Sequence, residues 1–217
     1  MPPSPILFST REILYNFIKT TRPFFVENMR KITLFSALSL DGYIARPDGN
    51  IDWLTSFPNP EKLDYGYAAF LAGIDTTLMG NKTYQLILSF DIPFPYAGKK
   101  NFVFTRSTEY VDTEFVQFVT DDPARFVHDL KQTAGGDIWL VGGGQINGAL
   151  VAHDLIDELY LHMIPVILGE GIPLFDGRQM LEKQFVLKES KTYYNSILEL
   201  RYKRIDPTPA SPMAPAS

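Results

Sequence analysis

Short apolar runs alternate with segments of helical spacing along most of the chain. The apolar runs predict strands at residues 32–38, 76–79, 101–105, 115–119, 138–141 and 158–164. Apolar residues that recur every three or four positions predict helices at residues 61–73, 81–90, 121–133 and 145–152. Strands that alternate with helices in this way are typical of an α/β fold with a largely parallel sheet.

The end of the chain departs from this alternation. Strand patterns at residues 185–193 and 197–205 are separated by a short polar connection and predict a β-hairpin. We therefore expect a three-layer α/β/α fold in which a mixed, mostly parallel sheet carries an antiparallel C-terminal hairpin. In folds of this class, ligands bind at the carboxyl ends of the parallel strands.

Residues 29–205 are predicted to form one folded domain, and the two flanking segments differ from it in composition. Residues 1–28 lack the uninterrupted apolar stretch and the cleavage site of a secretory signal, so we interpret them as an N-terminal extension outside the core. A transit peptide is the alternative, although Glu12 and Glu27 argue against it. Residues 206–217 are rich in Pro, Ala and Ser and predict a disordered tail.

Charge and side-chain inventory exclude several classes of function. The net charge is −5 and no block of basic residues occurs, which argues against nucleic acid or an anionic membrane as a partner. The chain has no cysteine, which excludes disulfides and thiolate metal ligands and fits a cytoplasmic protein. The histidines, His128, His153 and His162, fall on separate predicted elements without the spacing of metal ligands, so no metal site is expected.

Polar and glycine-rich motifs follow four of the predicted strands. Their sequences are SALSLDGYIARPDGNIDWL at residues 36–54, MGNKTY at 79–84, VFTRS at 103–107 and VGGGQ at 141–145. The last motif brings Gly142, Gly143 and Gly144 to a predicted strand-to-helix turn. Glycine lets the backbone approach a ligand closely, and the first N–H groups of a helix favour an anion such as a phosphate. A tight structural turn is the alternative for the same residues.

These motifs and the later segment PVILGEGIPLF, residues 165–175, resemble the dihydrofolate reductase-like superfamily in content and order. The chain is most similar to the C-terminal reductase domain of the bifunctional deaminase-reductases of riboflavin biosynthesis, and the resemblance covers residues 29–205. It implies an NADPH-dependent reductase of a small heterocyclic substrate, of the kind that reduces 5-amino-6-(5-phosphoribosylamino)uracil. It also implies a homodimer.

The resemblance implies a cofactor site assembled from all four motifs. By this resemblance, the nicotinamide contacts Ala37, Ile44 and Ala45, and the pyrophosphate contacts Gly80, Lys82 and Thr83. The adenosine 2′-phosphate contacts Thr105 and Arg106. The nicotinamide ribose and the pyrophosphate contact Gly142, Gly143, Gly144 and Gln145. One position departs from the family pattern, because Asn81 replaces an arginine that commonly binds the 2′-phosphate. Arg106 and Lys82 still supply positive charge, so we expect NADPH rather than NADH.

The resemblance also implies roles for Asp64 and Trp53 on the substrate side. Dihydrofolate reductases carry a carboxylate on the helix that faces the pterin, and Asp64 lies at the matching separation from Gly80. A buried Asp64 would hold an amino-pyrimidine ring by paired hydrogen bonds and assist its protonation. The alternatives are that Asp64 is a solvated residue of a first helical turn and that Trp53, which matches a tryptophan of the folate site, is a core residue.

Other functions and other side chains are interpreted more simply. A dihydrofolate reductase acting on a pterin is a second hypothesis, although SLDGYIA and LGEGIPLF look more like the riboflavin branch. A nucleotide-binding protein with little catalysis is a third, because the sequence shows no fused deaminase domain and no His/Cys cluster of the zinc type. We interpret Tyr160 and His162 as positions on the less apolar face of a strand.

Overall fold

The computed structural model describes residues 29–177 and 182–205. The predicted N-terminal extension, 1–28, and the predicted tail, 206–217, lie outside the described residues. The strands are β1 (Ile32–Ser39), β2 (Tyr43–Ala45), β3 (Ile74–Gly80), β4 (Lys100–Phe104), β5 (Gln117–Val119), β6 (Asp137–Gly142), β7 (Glu158–Ile164), β8 (Ile172–Pro173), β9 (Phe185–Thr192) and β10 (Leu198–Arg204). The helices are α1 (Asp52–Thr55), α2 (Tyr67–Ala72), α3 (Asn81–Leu88), α4 (Pro123–Lys131) and α5 (Gly144–Ala152).

Eight strands form one mixed sheet in the order β5-β4-β3-β6-β1-β7-β10-β9. Strands β1 and β3 to β7 pair in parallel, whereas β10 runs antiparallel to both β7 and β9. The predicted mostly parallel sheet with an antiparallel C-terminal hairpin is therefore confirmed. Because β4, β3, β6, β1 and β7 are consecutive neighbours, their carboxyl ends form one continuous edge, and the predicted motifs lie along it.

The sheet is buried on both faces by separate groups of apolar side chains. On one face, Leu34 and Leu140 pack with residues of α4 and α5 such as Val127 and Leu150, all completely buried. On the other face, residues of β3, β4 and β6 pack with Tyr84 and Ile87 of α3 and with partly buried residues of α2. Each fully buried aliphatic or aromatic side chain contributes about 1.5–3 kcal/mol, so the two cores hold the three layers together.

The start of α4 follows the local sequence. The carboxylate of Asp122 accepts a hydrogen bond from the backbone N–H of Arg125 at 2.9 Å, and Pro123 occupies the first turn. An acidic N-cap satisfies one of the free N–H groups of a helix, and proline fits the first turn because its missing N–H is not needed there. The predicted helix at residues 121–133 is confirmed, and it runs from Pro123 to Lys131.

The predicted helix at 61–73 is wrong in its first half, because only Tyr67–Ala72 is helical. Lys62, Tyr65 and Gly66 have φ values of 52°, 53° and 78°, which end any right-handed helix. The amide of Asn59 also bonds both the N–H and the C=O of Leu63 and fixes this segment as a loop. Residues 56–66 thus form a loop over the sheet, held in place by these hydrogen bonds, rather than a helix.

A small second sheet joins two segments that are distant in sequence. Strand β2 pairs antiparallel with β8, and a side chain at Gly171 would lie closer than 3.0 Å to the carbonyl oxygen of Ala45. The carboxylate of Asp41 accepts hydrogen bonds from the N–H groups of Leu168 and Gly169 at 3.2 and 2.7 Å. The SLDGYIA and LGEGIPLF motifs are therefore locked together beyond the carboxyl end of β1. Across residues 29–177 and 182–205, no helix combines the length and hydropathy that a bilayer crossing requires.

Candidate functional site

Two helix N-termini lie side by side at the ends of neighbouring strands. Strand β3 passes through Gly80 into α3, and β6 passes through Gly143 into α5. Both N-cap residues are glycines, and neither helix has a side-chain cap. The N–H of Gly143 donates to Oγ1 of Thr83 at 3.2 Å, which ties the two turns together. Uncapped first-turn N–H groups carry the positive end of the helix dipole, so the paired turns are suited to an anion such as a pyrophosphate.

The three consecutive glycines have different structural tasks. Gly142 has φ +115°, a conformation that L-residues rarely adopt. A side chain on Gly143 would meet only Oγ1 of Thr83, at 3.2 Å, whereas one on Gly144 would lie within 3.0 Å of the carbonyl oxygen of Pro173. Gly144 is therefore fixed by close packing against the end of β8 and the chain that follows it, whereas Gly143 lies against the first turn of α3.

Positive charge lies beside the paired turns. Arg106 is exposed just past β4, and its Nη2 donates to Oε1 of Gln145 on the first turn of α5 at 3.3 Å. Thr105 directly precedes it and accepts a hydrogen bond from the N–H of Ser107 at 3.1 Å. Lys82 is exposed on the first turn of α3. The structure thus brings together the predicted residues of β4, α3 and α5, with two cations available for a phosphate.

Asn81, the position that departs from the family pattern, is engaged within the protein. Its Nδ2 donates to the hydroxyl oxygen of Tyr110 at 2.8 Å. The side chain thereby links the start of α3 to the loop after β4. Arg106 and Lys82 are consequently the cationic side chains that this part of the site offers.

An apolar cavity of about 330 Å³ lies farther along the same edge of the sheet. Its floor comes from β1 and β7 and its cover from the loop between α1 and α2. It is lined by Phe35, Ala37, Leu54, Thr55, Phe57, Asn59, Asp64, Tyr65, Tyr67, His162, Ile164 and Ile197. A cavity of this size admits a small ring compound. Of the predicted residues, Ala37 and Asp64 line it, while Ile44 and Ala45 lie on β2, where Ala45 is buried and Ile44 packs against the core.

Asp64 is exposed, in contrast to the buried carboxylate that the resemblance suggested. Its two oxygens accept hydrogen bonds from the N–H groups of Gly66 at 3.0 Å and Ala68 at 3.1 Å. These bonds hold the pKa of Asp64 below its usual value of 3.8. Asp64 therefore stands at the edge of the cavity as a carboxylate that stabilises the start of α2, which matches the solvated alternative.

Trp53 is buried beside the cavity, with 5% of its surface exposed. It packs in a cluster with Ile164, Tyr193 and Ile197, and two of these residues also line the cavity. Its own side chain is not part of the lining. Within the described part of the chain, the indole Nε1 has no hydrogen-bond partner. Trp53 is thus a core residue that supports the cavity wall.

A buried polar network that no motif or local sequence pattern indicated lies under the cavity. In the register of the sheet, His162 on β7 is directly opposite Ala37 on β1 and Glu199 on β10. Oε2 of Glu199 accepts from the hydroxyl of Tyr193 at 2.6 Å, and Oε1 accepts from Nε of Arg201 at 2.6 Å. In the sequence, the network is indicated only by a histidine and a glutamate, His162 and Glu199, at inward-facing positions of two strands that are distant along the chain.

The network sets the charge state of both buried groups. Burial lowers the pKa of His162 below 6.5, which favours the neutral imidazole. Burial acts to raise the pKa of Glu199, but the hydrogen bonds from Tyr193 and Arg201 outweigh it and hold the pKa below 4.5. At neutral pH, a neutral His162 in the cavity floor therefore lies beside an ionised Glu199 on the neighbouring strand.

The sequence and the fold are similar to known proteins along most of their length. The Bacillus subtilis (strain 168) protein YwjB, whose name describes it as uncharacterized, is 38% identical over 175 residues, which are 81% of this chain and 98% of YwjB. A structure from Shewanella sp. PV-4, provisionally described as a riboflavin biosynthesis protein, is 32% identical with a TM-score of 0.73 and covers 81% of this chain and 99% of its own.

More distant structures share the fold alone. A Thermotoga maritima diaminohydroxyphosphoribosylaminopyrimidine deaminase/5-amino-6-(5-phosphoribosylamino)uracil reductase is 16% identical, with a TM-score of 0.62 over 89% of this chain and 60% of its own. Enterococcus faecalis dihydrofolate reductase, complexed with NADP(H), is 19% identical, with a TM-score of 0.57 over 81% of this chain and 97% of its own. The fold is therefore dihydrofolate reductase-like.

A family model described as the RibD C-terminal domain matches residues 30–198, which include every predicted strand-end motif. The family is a reductase-like group, and the match agrees with the resemblance inferred from the motifs. The chain belongs to the RibD C-terminal domain family.

Proposed function

We propose that this protein is an NADPH-dependent reductase of a small heterocyclic substrate, of the same kind as the 5-amino-6-(5-phosphoribosylamino)uracil reductases. One observation carries the proposal: the uncapped helix N-termini after β3 and β6 lie on the same sheet edge as the cavity over β1 and β7. Strands are spaced by about 4.8 Å, so the edge from β4 to β7 spans roughly 19 Å. An elongated dinucleotide can lie along it with one end at the cavity.

The residues at the phosphate end fit such a cofactor. The first-turn N–H groups of α3 and α5 bind the pyrophosphate, and Gly143 keeps the approach open. Arg106, with Thr105 beside it, binds the 2′-phosphate, and Gln145 orients the guanidinium. Lys82 adds positive charge on the first turn of α3.

At the other end, the protein supplies position and a dry pocket. When bound, the nicotinamide supplies a hydride. Ala37 has a small side chain at the cavity floor, and the backbone near Ile44 and Ala45 on β2 would border the nicotinamide. Asp64 stands at the exposed edge of the cavity, where its carboxylate oxygens accept hydrogen bonds from backbone N–H groups. Because its pKa is lowered, Asp64 acts as an acceptor rather than as a proton donor at neutral pH.

The comparisons support parts of this proposal. A structural neighbour that binds NADP(H) and another that is named as a uracil reductase share the fold. The relatives with higher identity extend over the same length as the folded part of this chain. The homodimer implied by the resemblance is part of the proposal, and sedimentation equilibrium of the purified protein tests it.

The direct test is a substrate screen of the purified full chain with NADPH and NADH side by side. We expect loss of nicotinamide absorbance with NADPH and a ribosylamino-pyrimidine. Turnover of dihydrofolate alone would instead identify a dihydrofolate reductase. NADPH binding without turnover of pterin, folate or pyrimidine compounds would favour a nucleotide-binding protein.

The Arg106→Gln substitution tests the choice of cofactor. We expect the affinity for NADPH to fall about tenfold or more, because charge-assisted hydrogen bonds to the 2′-phosphate are lost. The affinity for NADH, which lacks that phosphate, should change little. Titration of nicotinamide fluorescence measures both affinities. Lys203→Gln, an exposed charge at the opposite end of the sheet, is the matched control. An unchanged ratio of the two affinities in the Arg106 variant would remove Arg106 from the 2′-phosphate site.

A further inference from the structure

We propose that His162 is the polar group of the cavity that binds the substrate ring, through a hydrogen bond from a ring N–H or amino group to Nδ1. The identity of the physiological ligand rests on the proposed function, whereas the binding chemistry rests on the cavity itself. The predicted ligand class is a planar heterocycle that bears hydrogen-bond donors, and His162 is a binding residue for it.

The position of His162 gives it access to the cavity from below. Only 4% of the residue is exposed, yet its side chain lines the cavity floor next to Ala37. The ring centroid lies 5.0 Å from that of Phe35 and 6.1 Å from that of Tyr65. These aromatic neighbours keep bulk water from the ring, and a hydrogen bond in such surroundings is stronger than one in water.

The other polar side chains of the lining are already engaged or solvated, and the hydroxyl of Tyr67 interacts with that of Tyr96. The amide of Asn59 bonds both backbone groups of Leu63, and the hydroxyl of Tyr65 accepts from Asn195 at 2.8 Å. Asp64 and Thr55 are exposed and bond to nearby backbone groups. Nδ1 of His162, by contrast, has no hydrogen-bond partner among the described residues. The atom is also not fully enclosed by the protein.

The protein's own contacts determine which ring nitrogen carries the proton. Nε2 of His162 lies 3.1 Å from the carbonyl oxygen of Tyr65, which can only accept, and 3.6 Å from Oε2 of Glu199. Nε2 is therefore the donor, and in the neutral imidazole Nδ1 has a free lone pair. Burial lowers the pKa of His162 and so keeps this form at neutral pH. The lone pair selects ligands with N–H groups.

Nuclear magnetic resonance of the full chain labelled with ¹⁵N-histidine tests the contact. The probe is 5,6-diaminouracil, and the matched compound is 1,3-dimethyluracil, which lacks N–H groups. We expect diaminouracil to shift the Nδ1 resonance of His162 and dimethyluracil not to shift it. The exposed His128 and His153 should respond to neither compound and serve as internal controls. No shift at a saturating probe concentration, or the same shift with both compounds, would overturn the proposal.

Two substitutions separate this inference from the proposed function. His162→Leu removes the acceptor and should weaken diaminouracil binding about tenfold, whereas His162→Asn can place an amide oxygen near the position of Nδ1 and should retain most of the affinity. NADPH affinity should be unchanged in both. If the wild type bound diaminouracil at His162 but not NADPH, only the proposed function would fail. If both variants bound NADPH and diaminouracil as the wild type does, only the role of His162 would fail.

Discussion

Gly144→Ala is expected to lower the free energy of unfolding by about 3 kcal/mol, although alanine is normally the better helix former. The new Cβ would lie within 3.0 Å of the carbonyl oxygen of Pro173 and 3.1 Å from Cβ of Asp176. The carbonyl belongs to the backbone and cannot rotate away, so the end of β8 has to move. Urea unfolding monitored by tryptophan fluorescence measures the loss.

Two other glycines provide controls for this substitution. A side chain at Gly98 would have no atom within 4 Å, so Gly98→Ala should leave stability nearly unchanged. Gly143→Ala should also change stability little but should weaken NADPH binding, because the new methyl group lies at the paired turns. Equal unfolding midpoints for the Gly144 and Gly98 variants would show that the end of β8 adjusts without cost.

Glu199→Gln is the second substitution with a large expected effect, a destabilisation of about 2–4 kcal/mol. Glu199 is 3% exposed and accepts hydrogen bonds from Tyr193 and Arg201. The amide group of glutamine would turn a donor toward one of these two donors and would remove the buried negative charge. The matched control is Glu189→Gln, because the Glu189 side chain is 58% exposed and lies 3.4 Å from the same Arg201. We expect less than about 1 kcal/mol for this exposed pair.

The contribution of Glu199 to the free energy of unfolding depends on pH in a defined direction. Its pKa in the folded protein is below the unperturbed value of 4.5, so the unfolded state binds the proton more readily. The carboxylate therefore contributes its stability above pH 4.5, and this contribution is lost as the pH falls through the folded pKa. Denaturation curves should show the wild type and Glu199→Gln converging in acid. A difference that stayed constant down to pH 3 would contradict this assignment.

The fold was predictable because most of its information is local. Apolar runs of strand length and helical spacing depend on the residues themselves, and they gave the parallel sheet and the C-terminal hairpin. The wrong helix prediction at residues 61–66 also has a local cause, since Asn59 bonds to Leu63 and three residues adopt positive φ. The apolar spacing there reflects side chains that face the cavity and the core, and a loop can present such side chains as well as a helix.

The site was predictable only in part, for a different reason. Motifs such as those at Gly80 and Gly143 lie at strand ends, so their meeting follows from a parallel sheet. The contact between His162 and Glu199 depends instead on the register of β7 against β10, which no local pattern specifies. Asp64 was placed by its separation from Gly80, but its environment depends on backbone hydrogen bonds within the loop.

The segment from Gly171 to Asp176 has a consequence for how the chain can vary. At one end Gly171 packs under Ala45, and at the other the N–H of Asp176 donates to the carbonyl oxygen of Gly144 at 2.9 Å. Between them, the N–H of Leu174 donates to the carbonyl oxygen of Gly42 in the loop after β1. The carbonyl oxygen of Leu174 accepts from the side chain of Asn147 on α5. The segment is therefore a spacer of fixed length between β2, at the proposed nicotinamide end of the site, and α5, at the phosphate end. Insertion or deletion of one residue in it would put one end out of alignment with the other, whereas substitutions at its exposed positions leave the spacing intact.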